Sequence, residues 1–210
     1  GLLEVQFPFS DPTADGVYIQ RACADALTAG FTVDDGFRLV ERLVQRADAP
    51  QVFVMVYANL AFRPGIEPFM ARCQGAGVRG VIVPDLPPDY DEGLYATGRD
   101  LGLEVVPVVP VTAQVERLRT VLETSRSRFL YTALRKGVTG GYTHISEESV
   151  RFLQEAKSLG VSTMAGFGIS ERAQVEALAP LVDTVIVGSA FIRALLEAPE
   201  DADPYRTVRD

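Results

Sequence analysis

Two glycine-bearing runs, Gly166-Phe167-Gly168-Ile169-Ser170 and Gly188-Ser189-Ala190, each follow a short apolar stretch and precede a helical pattern. Glycine lets backbone N–H groups approach an anion closely, and a helix start adds partial positive charge. On the last two strands of a parallel barrel such a pair forms a phosphate site; singly, either is also a plain tight turn. At the other end of the chain, Glu4 stands between Leu3 and Val5 in an apolar strand pattern. Period-2 alternation points its side chain away from both neighbours. A carboxylate inside a barrel is costly unless paired or used. Burial would raise its pKa toward neutrality, as a general acid/base requires. The alternative is a structural glutamate bonded to backbone.

Asp11 and Asp15 lie in the following Pro- and Gly-bearing loop, where aspartate is also ordinary turn chemistry. Tyr131, near a strand end, offers an apolar wall and a hydroxyl. The long connection 133–145 carries Gly137, Gly140 and Gly141 with Thr139, the composition of a lid or of a loose surface loop. Asn59 and Asp85 end two further strands, either as turn caps or in a functional role. His144 reads as loop surface.

One histidine and two scattered cysteines, Cys23 and Cys73, cannot build a zinc site from standard ligands or a hydrolase triad of ordinary kind. The cysteines read as buried thiols of a reducing cytoplasm. Net charge is −8 and the sequence pI is near 4.8, which argues against nucleic acid. No apolar run approaches the roughly 20 residues of a membrane span.

The positioning elements alternate. Strand patterns at Leu2–Phe7, Gln51–Tyr57, Gly80–Pro84, Glu104–Val109, Arg128–Thr132, Ser162–Ala165 and Thr184–Val187 are separated by helical patterns. The helices are expected at Val17–Ala29, Val33–Arg46, Pro64–Ala76, Tyr90–Leu101, Ala113–Thr124, Glu147–Leu159, Glu171–Leu178 and Ser189–Glu197. Pro64 and Ser170 suit helix starts; Gly77, Gly102 and Gly160 suit stops. Strands apolar on both faces and alternating with helices indicate a parallel sheet. Seven βα units in series point to an α/β (β/α)₈ TIM barrel short of one unit at its front, a single barrel domain over 1–210. The acidic tail from about 198 is expected to fray.

Taken together, these residues resemble one family, the α subunit of tryptophan synthase. Glu4 followed by Pro8-Phe9-Ser10-Asp11-Pro12 and Ala14-Asp15-Gly16 is similar to the signature of its second strand. Tyr57-Ala58-Asn59-Leu60, Asp85 with Pro87, Gly137-Val138-Thr139-Gly140 and the two glycine loops follow in the family's order. The resemblance implies a lyase of tryptophan biosynthesis that reversibly cleaves indole-3-glycerol phosphate to indole and glyceraldehyde 3-phosphate in the cytoplasm. It implies Glu4 as acid/base, Asp15 as acceptor for the indole N–H, and Tyr131 as the active-site tyrosine. The phosphate would rest on Gly140, Gly166, Phe167, Gly168, Gly188 and Ser189, beneath a lid bearing Gly137 and Thr139. No metal and no cofactor is expected on this chain. Pyridoxal phosphate is expected on a β subunit bound in an αββα complex through Pro8, Asp11–Val17, Asn59 and Pro87.

Three departures stand out. The family's first strand and helix have no counterpart before Glu4, so the strands at Leu2 and Thr184 are expected to expose edges. Gln6 stands where glycine is common, and Leu134-Arg135-Lys136 replaces a Ser-Arg-small run. Competing readings are a non-catalytic or fragmentary barrel that activates a β subunit, a stand-alone lyase, and a sugar-phosphate isomerase or epimerase. The last would not need the Pro8–Pro12 signature.

Overall fold

Strand β2 (Gln51–Met55) shows how the barrel is layered. Val52 and Val54 join an outer cluster that continues into the helices, while Phe53 and Met55 turn inward to a central cluster with Ile82, Val106, Tyr131 and Met164. That is the two-face burial of a parallel strand, and the inward side chains fill the barrel as packed layers. The computed structural model describes residues 1–134, 145–199 and 201–209.

The order is β1 (Leu2–Gln6), α1 (Val17–Thr28), α2 (Val33–Val44), β2, α3 (Ala58–Phe62), α4 (Ile66–Gly75), β3 (Gly80–Ile82), a 3₁₀ turn (Pro88–Tyr90) and α5 (Leu94–Asp100). Then come β4 (Glu104–Val106), β5 (Val108–Pro110), α6 (Val115–Ser125), β6 (Phe129–Ala133) and α7 (Glu147–Ser158). The chain ends with β7 (Ser162–Gly166), α8 (Arg172–Leu178), β8 (Thr184–Val185), α9 (Ser189–Glu197) and α10 (Pro204–Arg209). All strand pairs are parallel, in the orders β1-β2-β3-β4 and β5-β6-β7-β8. The expected strand at Glu104–Val109 is therefore two pieces separated by Pro107, which lacks the N–H a central ladder needs. Its carbonyl still accepts from the Tyr131 amide at 2.9 Å, so the two sheets remain joined there.

The helices follow local chemistry. Thr32 and Asp35 form a capping box on α2, and the Ser146 side chain accepts from the Ser149 amide to open α7. Gly77, Gly102 and Gly160 have φ of +77°, +71° and +75° just beyond α4, α5 and α7, the left-handed stop expected of glycine. Cys23 and Cys73 are free and buried, as the sequence reading expected.

Four expectations are corrected. Pro64 does not start a helix: α3 precedes it, and α4 begins after Gly65, whose φ of +96° sets the break. Ser170 is not a cap either, because Glu171 occupies that place with Gln174 as its capping-box partner. Asn59 lies inside α3 and is no turn cap. The tail does not simply fray, since Pro204–Arg209 is helical and α10 packs on α9.

Among the described residues β1 and β8 each pair on one side only, as expected for the two edges. The helices outside them nevertheless meet: α1 packs on α9, and the Tyr18 hydroxyl donates to Glu197 at 3.2 Å. No helix among the described residues is long and apolar enough to cross a membrane.

Candidate active site

At the mouth of the barrel, residues from β1, β2, β6, β7, β8 and the loops after them enclose a cavity of about 60 Å³. Its walls are Glu4, Gln6, Asp15, Ile19, Met55, Tyr131, Phe167, Gly168, Ile169, Ile186, Gly188 and Ser189. A larger open groove, about 840 Å³, lies between the Pro8–Ser10 loop and residues of α1 to α4, but it holds neither Glu4 nor Asp15. Size is a poor guide here. The small cavity is where the titratable groups converge.

Alternation on β1 carries Glu4 and Gln6 to the same face, as period 2 requires. The strand is half-buried, yet the Glu4 carboxyl is fully enclosed. Its Oε2 is shut off from solvent and meets no hydrogen-bond donor among the described residues. Burial, and secondly the charge on Asp15, push its pKa from 4.5 up to about 7. No described backbone group meets Oε2, which is the part of the structural alternative for Glu4 that the described residues address.

Asp15 is only 2% exposed. The loop after β1 folds it inward through its own amide, which donates to the Pro12 carbonyl at 3.0 Å. Its Oδ2 accepts from the Tyr57 hydroxyl at 2.8 Å and from Gln6 Nε2 at 2.7 Å. The Tyr57 hydroxyl in turn accepts from the Ala14 amide at 3.0 Å, and Gln20 Nε2 donates to the Asp15 carbonyl at 2.8 Å. Phe9 stacks on the Tyr57 ring, with centroids 5.3 Å apart. Burial raises the Asp15 pKa while the bonds from Tyr57 and Gln6 oppose the rise. Tyr131 is also enclosed, and burial together with the charges on Glu4 and Asp15 holds its hydroxyl protonated far above the usual range.

Across the cavity, the loop after β7 is unusual. Phe167 has φ +75° between Gly166 and Gly168, a left-handed conformation that costs a non-glycine residue about 1–3 kcal/mol. Its ring meets Tyr131 edge-on at 5.5 Å between centroids. Buried Gln174 pins the loop: its Oε1 accepts from the Ser170 and Glu171 amides at 2.9 and 3.0 Å, and its Nε2 donates to the Gly168 carbonyl at 3.4 Å. Gly166 has a reason of its own, since a Cβ there would fall on the Tyr131 hydroxyl. Gly188 opens α9, whose leading amides have no acceptor within the helix.

The structure thus brings Glu4, Asp15, Tyr131, Phe167, Gly168, Gly188 and Ser189 to one cavity, with Gly166 packed behind Tyr131. Pro8, Asp11 and Pro87 lie on loops at the same end of the barrel, and Asn59 lies in the first turn of α3 after β2; Asp11, Asn59 and Pro87 are exposed and Pro8 is half-buried. Asp85 accepts from the Ala58 amide at 2.9 Å, so it caps α3 in the neighbouring loop. Gly137, Thr139, Gly140 and His144 lie outside the described residues. Among the described residues no group of His, Cys, Asp and Glu could hold a metal ion.

Sequence reasoning passed over Gln6, Tyr57 and Gln174 as partners in the site. Gln6 was findable from its spacing to Glu4, and Gln174 from the capping-box spacing to Glu171. Tyr57 reaches Asp15 across 42 residues of chain, and no local pattern reports that.

The sequence profile of the family described as "Tryptophan synthase alpha chain" matches residues 1–207. The tryptophan synthase alpha chain of Methanocaldococcus jannaschii is 37% identical over 194 residues, covering 91% of this chain and 68% of that protein. That of Helicobacter hepaticus is 36% identical over 203 residues, covering 93% and 75%. Among solved structures, Mycobacterium tuberculosis tryptophan synthase superposes with TM-score 0.85 at 32% identity, covering 99% of this chain and 77% of that one. The Pyrococcus furiosus tryptophan synthase complex gives 0.86 at 28% identity, covering 100% and 84%. Fold, order of motifs and family match agree: the chain belongs to the tryptophan synthase alpha chain family.

Proposed function

We propose that this chain is the lyase subunit that cleaves indole-3-glycerol phosphate to indole and glyceraldehyde 3-phosphate, with a tryptophan synthase β subunit as its partner. The observation that carries the reading is the pair of enclosed carboxylates, Glu4 and Asp15, facing the glycine loops after β7 and β8 across one cavity. Cleavage breaks the carbon–carbon bond between indole C3 and the glycerol chain. A proton must arrive at C3, and one must leave the glycerol hydroxyl that becomes the aldehyde. Glu4, with a pKa of about 7, is populated in both protonation states near neutral pH and suits both transfers.

Protonation at C3 leaves positive charge on the ring, centred on the N–H. When the carbon–carbon bond breaks, its electron pair returns to the ring and quenches that charge. Asp15, fixed by Tyr57 and Gln6 at Oδ2, keeps Oδ1 for the N–H and stabilises the charge while it exists. Tyr131 donates its hydroxyl within the cavity. The phosphate rests on the backbone of Gly166, Phe167, Gly168, Gly188 and Ser189; the reading also gives Gly140 to the phosphate and Gly137 and Thr139 to a lid. Pyridoxal phosphate belongs to the β subunit, and no step on this chain passes through it. Pro8, Asp11, Asn59 and Pro87 form the docking face, with the chain as one barrel domain in an αββα assembly. Tryptophan synthase of Pyrococcus furiosus is an α2β2 complex. The two free, buried thiols fit a cytoplasmic setting.

A second reading keeps the partner without turnover; among the described residues β1 and β8 each pair on one side only. One assay separates the two: indole release from indole-3-glycerol phosphate, with and without β subunit, for wild type and Glu4→Gln. We expect turnover in the wild type and a loss of about 10²–10⁴-fold in the variant. Equal rates in both proteins would remove Glu4 from the chemistry. Stimulation of the β reaction by a chain that never releases indole would establish the second reading.

A further inference from the structure

Two carboxylates share one small enclosed space, and something must decide which of them carries the proton. The decision is visible in the hydrogen bonds. Glu4 Oε2 meets no donor among the described residues, whereas Asp15 Oδ2 meets two, the Tyr57 hydroxyl and Gln6 Nε2. Gln6 follows Glu4 by two residues on the same strand face, pairs with Met55 in the ladder, and lines the cavity beside both acids. Its amide cannot ionise at any accessible pH, so a bond from it favours a charged acceptor over a protonated one.

We propose that Gln6 is a positioning residue that binds Asp15 through Oδ2, aims Oδ1 at the substrate N–H, and keeps Asp15 charged so that the mobile proton stays on Glu4. The proposal rests on the retro-aldol reading given above. Tyr57 also donates to Oδ2, but it enters from beyond β2, before α3, and not from the strand that carries Glu4. Gln6 bridges to Asp15 from Glu4's own strand. Among the described residues, the remaining titratable groups around Asp15 are Glu4 on β1, Tyr57 beyond β2, Tyr131 on β6 and Cys23 on α1, with Asp85 acting on Tyr57 from beyond β3. All of these are acids. The described partners that favour a charged Asp15 are the neutral donors Tyr57 and Gln6.

The test uses the full chain with β subunit and compares wild type, Gln6→Met (similar length, no donor) and Gln6→Gly (no side chain). Loss of a hydrogen bond to a charged group should lower kcat for indole release by about tenfold, with a smaller change in KM. It should also move the acidic limb of the kcat/KM profile upward by about one pH unit, because Asp15 then needs higher pH to ionise. The two acids titrate together, so a second readout follows the Asp15 carboxyl itself. In protein carrying ¹³C-labelled aspartate, with the resonance assigned through Asp15→Asn, the Asp15 midpoint should rise in both variants. A residue of merely structural importance would lower thermal stability and kcat but leave limb and midpoint in place, and that result overturns the proposal. Should the wild type release no indole, the retro-aldol reading falls, while the carboxyl titration still decides for or against Gln6.

Discussion

Two glutamates on strands of the same barrel meet opposite fates. Glu104 opens β4 at the floor, where its Oε1 accepts from Arg128, Nε at 2.7 Å and Nη2 closer still, and from Arg79 Nη2 at 3.4 Å. Gly80 is glycine because a Cβ there would collide with the Glu104 backbone. Glu4 stands toward the mouth, equally enclosed, with Oε2 unpartnered and its pKa raised to about 7. The floor satisfies its charge with cations from the residues just before β3 and β6. At the mouth no described residue donates to Glu4 Oε2, and the carboxyl holds its proton up to about pH 7. Floor positions of such barrels serve stability and mouth positions chemistry; here the division is written in hydrogen-bond partners.

The largest expected effect comes from exchanging each acid for its amide. Glu4 ionises at 4.5 when unfolded and at about 7 when folded. Below pH 4.5 both states hold the proton and nothing is lost. As pH rises through 7 the folded state is penalised relative to the unfolded one, by about 3 kcal/mol once the carboxyl is fully charged. Glu4→Gln should therefore be more stable than wild type at pH 8, with the gain vanishing near pH 4.5, while turnover falls about 10²–10⁴-fold. Glu104→Gln should do the reverse, keeping indole release while losing about 1–2 kcal/mol. That figure is reduced because the Arg128 side chain is largely exposed and can return to water. Urea unfolding of the three proteins at both pH values measures this. A Glu4→Gln variant no more stable at pH 8 than wild type would erase the contrast.

Next in size is Gly166→Ala. The new methyl would fall on the Tyr131 hydroxyl and lie 3.2 Å from the Ile186 Cβ. Overpacking of this kind costs about 1–3 kcal/mol, and the displaced ring should slow indole release. Tyr131→Phe removes the oxygen in the way. The alanine should then cost less in that background, a positive coupling in a double-mutant cycle. Additive costs would mean that glycine is kept there for its backbone alone.

This contrast also sets how far sequence reading reached. Glu4 was legible because strand period and apolar neighbours determine its face, and the seven strands were legible for the same reason. The glycine loops were legible from residue type, although the crowding of Gly166 by Tyr131 is a contact between two strands and leaves no local trace. Asp15 was ambiguous in sequence, since an aspartate beside Pro12 and Gly16 is equally a turn residue. Its burial depends on Tyr57 and Gln6 arriving from elsewhere. The helix at Pro204–Arg209 carried readable signs, with Pro at its first position and Asp203 Oδ1 accepting from the Tyr205 amide at 3.0 Å. The acidic composition around them hid those signs. Gly65 was hidden differently, because only its φ reveals that the break between α3 and α4 falls there.

The smallest effect probes whether the mouth is loosely held only at its carboxylates or throughout. Asp85 accepts from the Ala58 amide at the first position of α3, tying the loop after β3 to the loop after β2. Tyr57 immediately precedes that helix and carries the hydroxyl that binds Asp15. Asp85→Ala removes a side-chain cap at an exposed position, a loss of about 1 kcal/mol. If the cap also steadies Tyr57, amide exchange at Ala58–Phe62 should quicken, and indole release should fall about two- to threefold, within what that loss allows. The Glu104 floor should keep its exchange protection unchanged. Faster exchange at the floor as well would mean that mouth and floor unfold as one unit, and the division between them would then be chemical only.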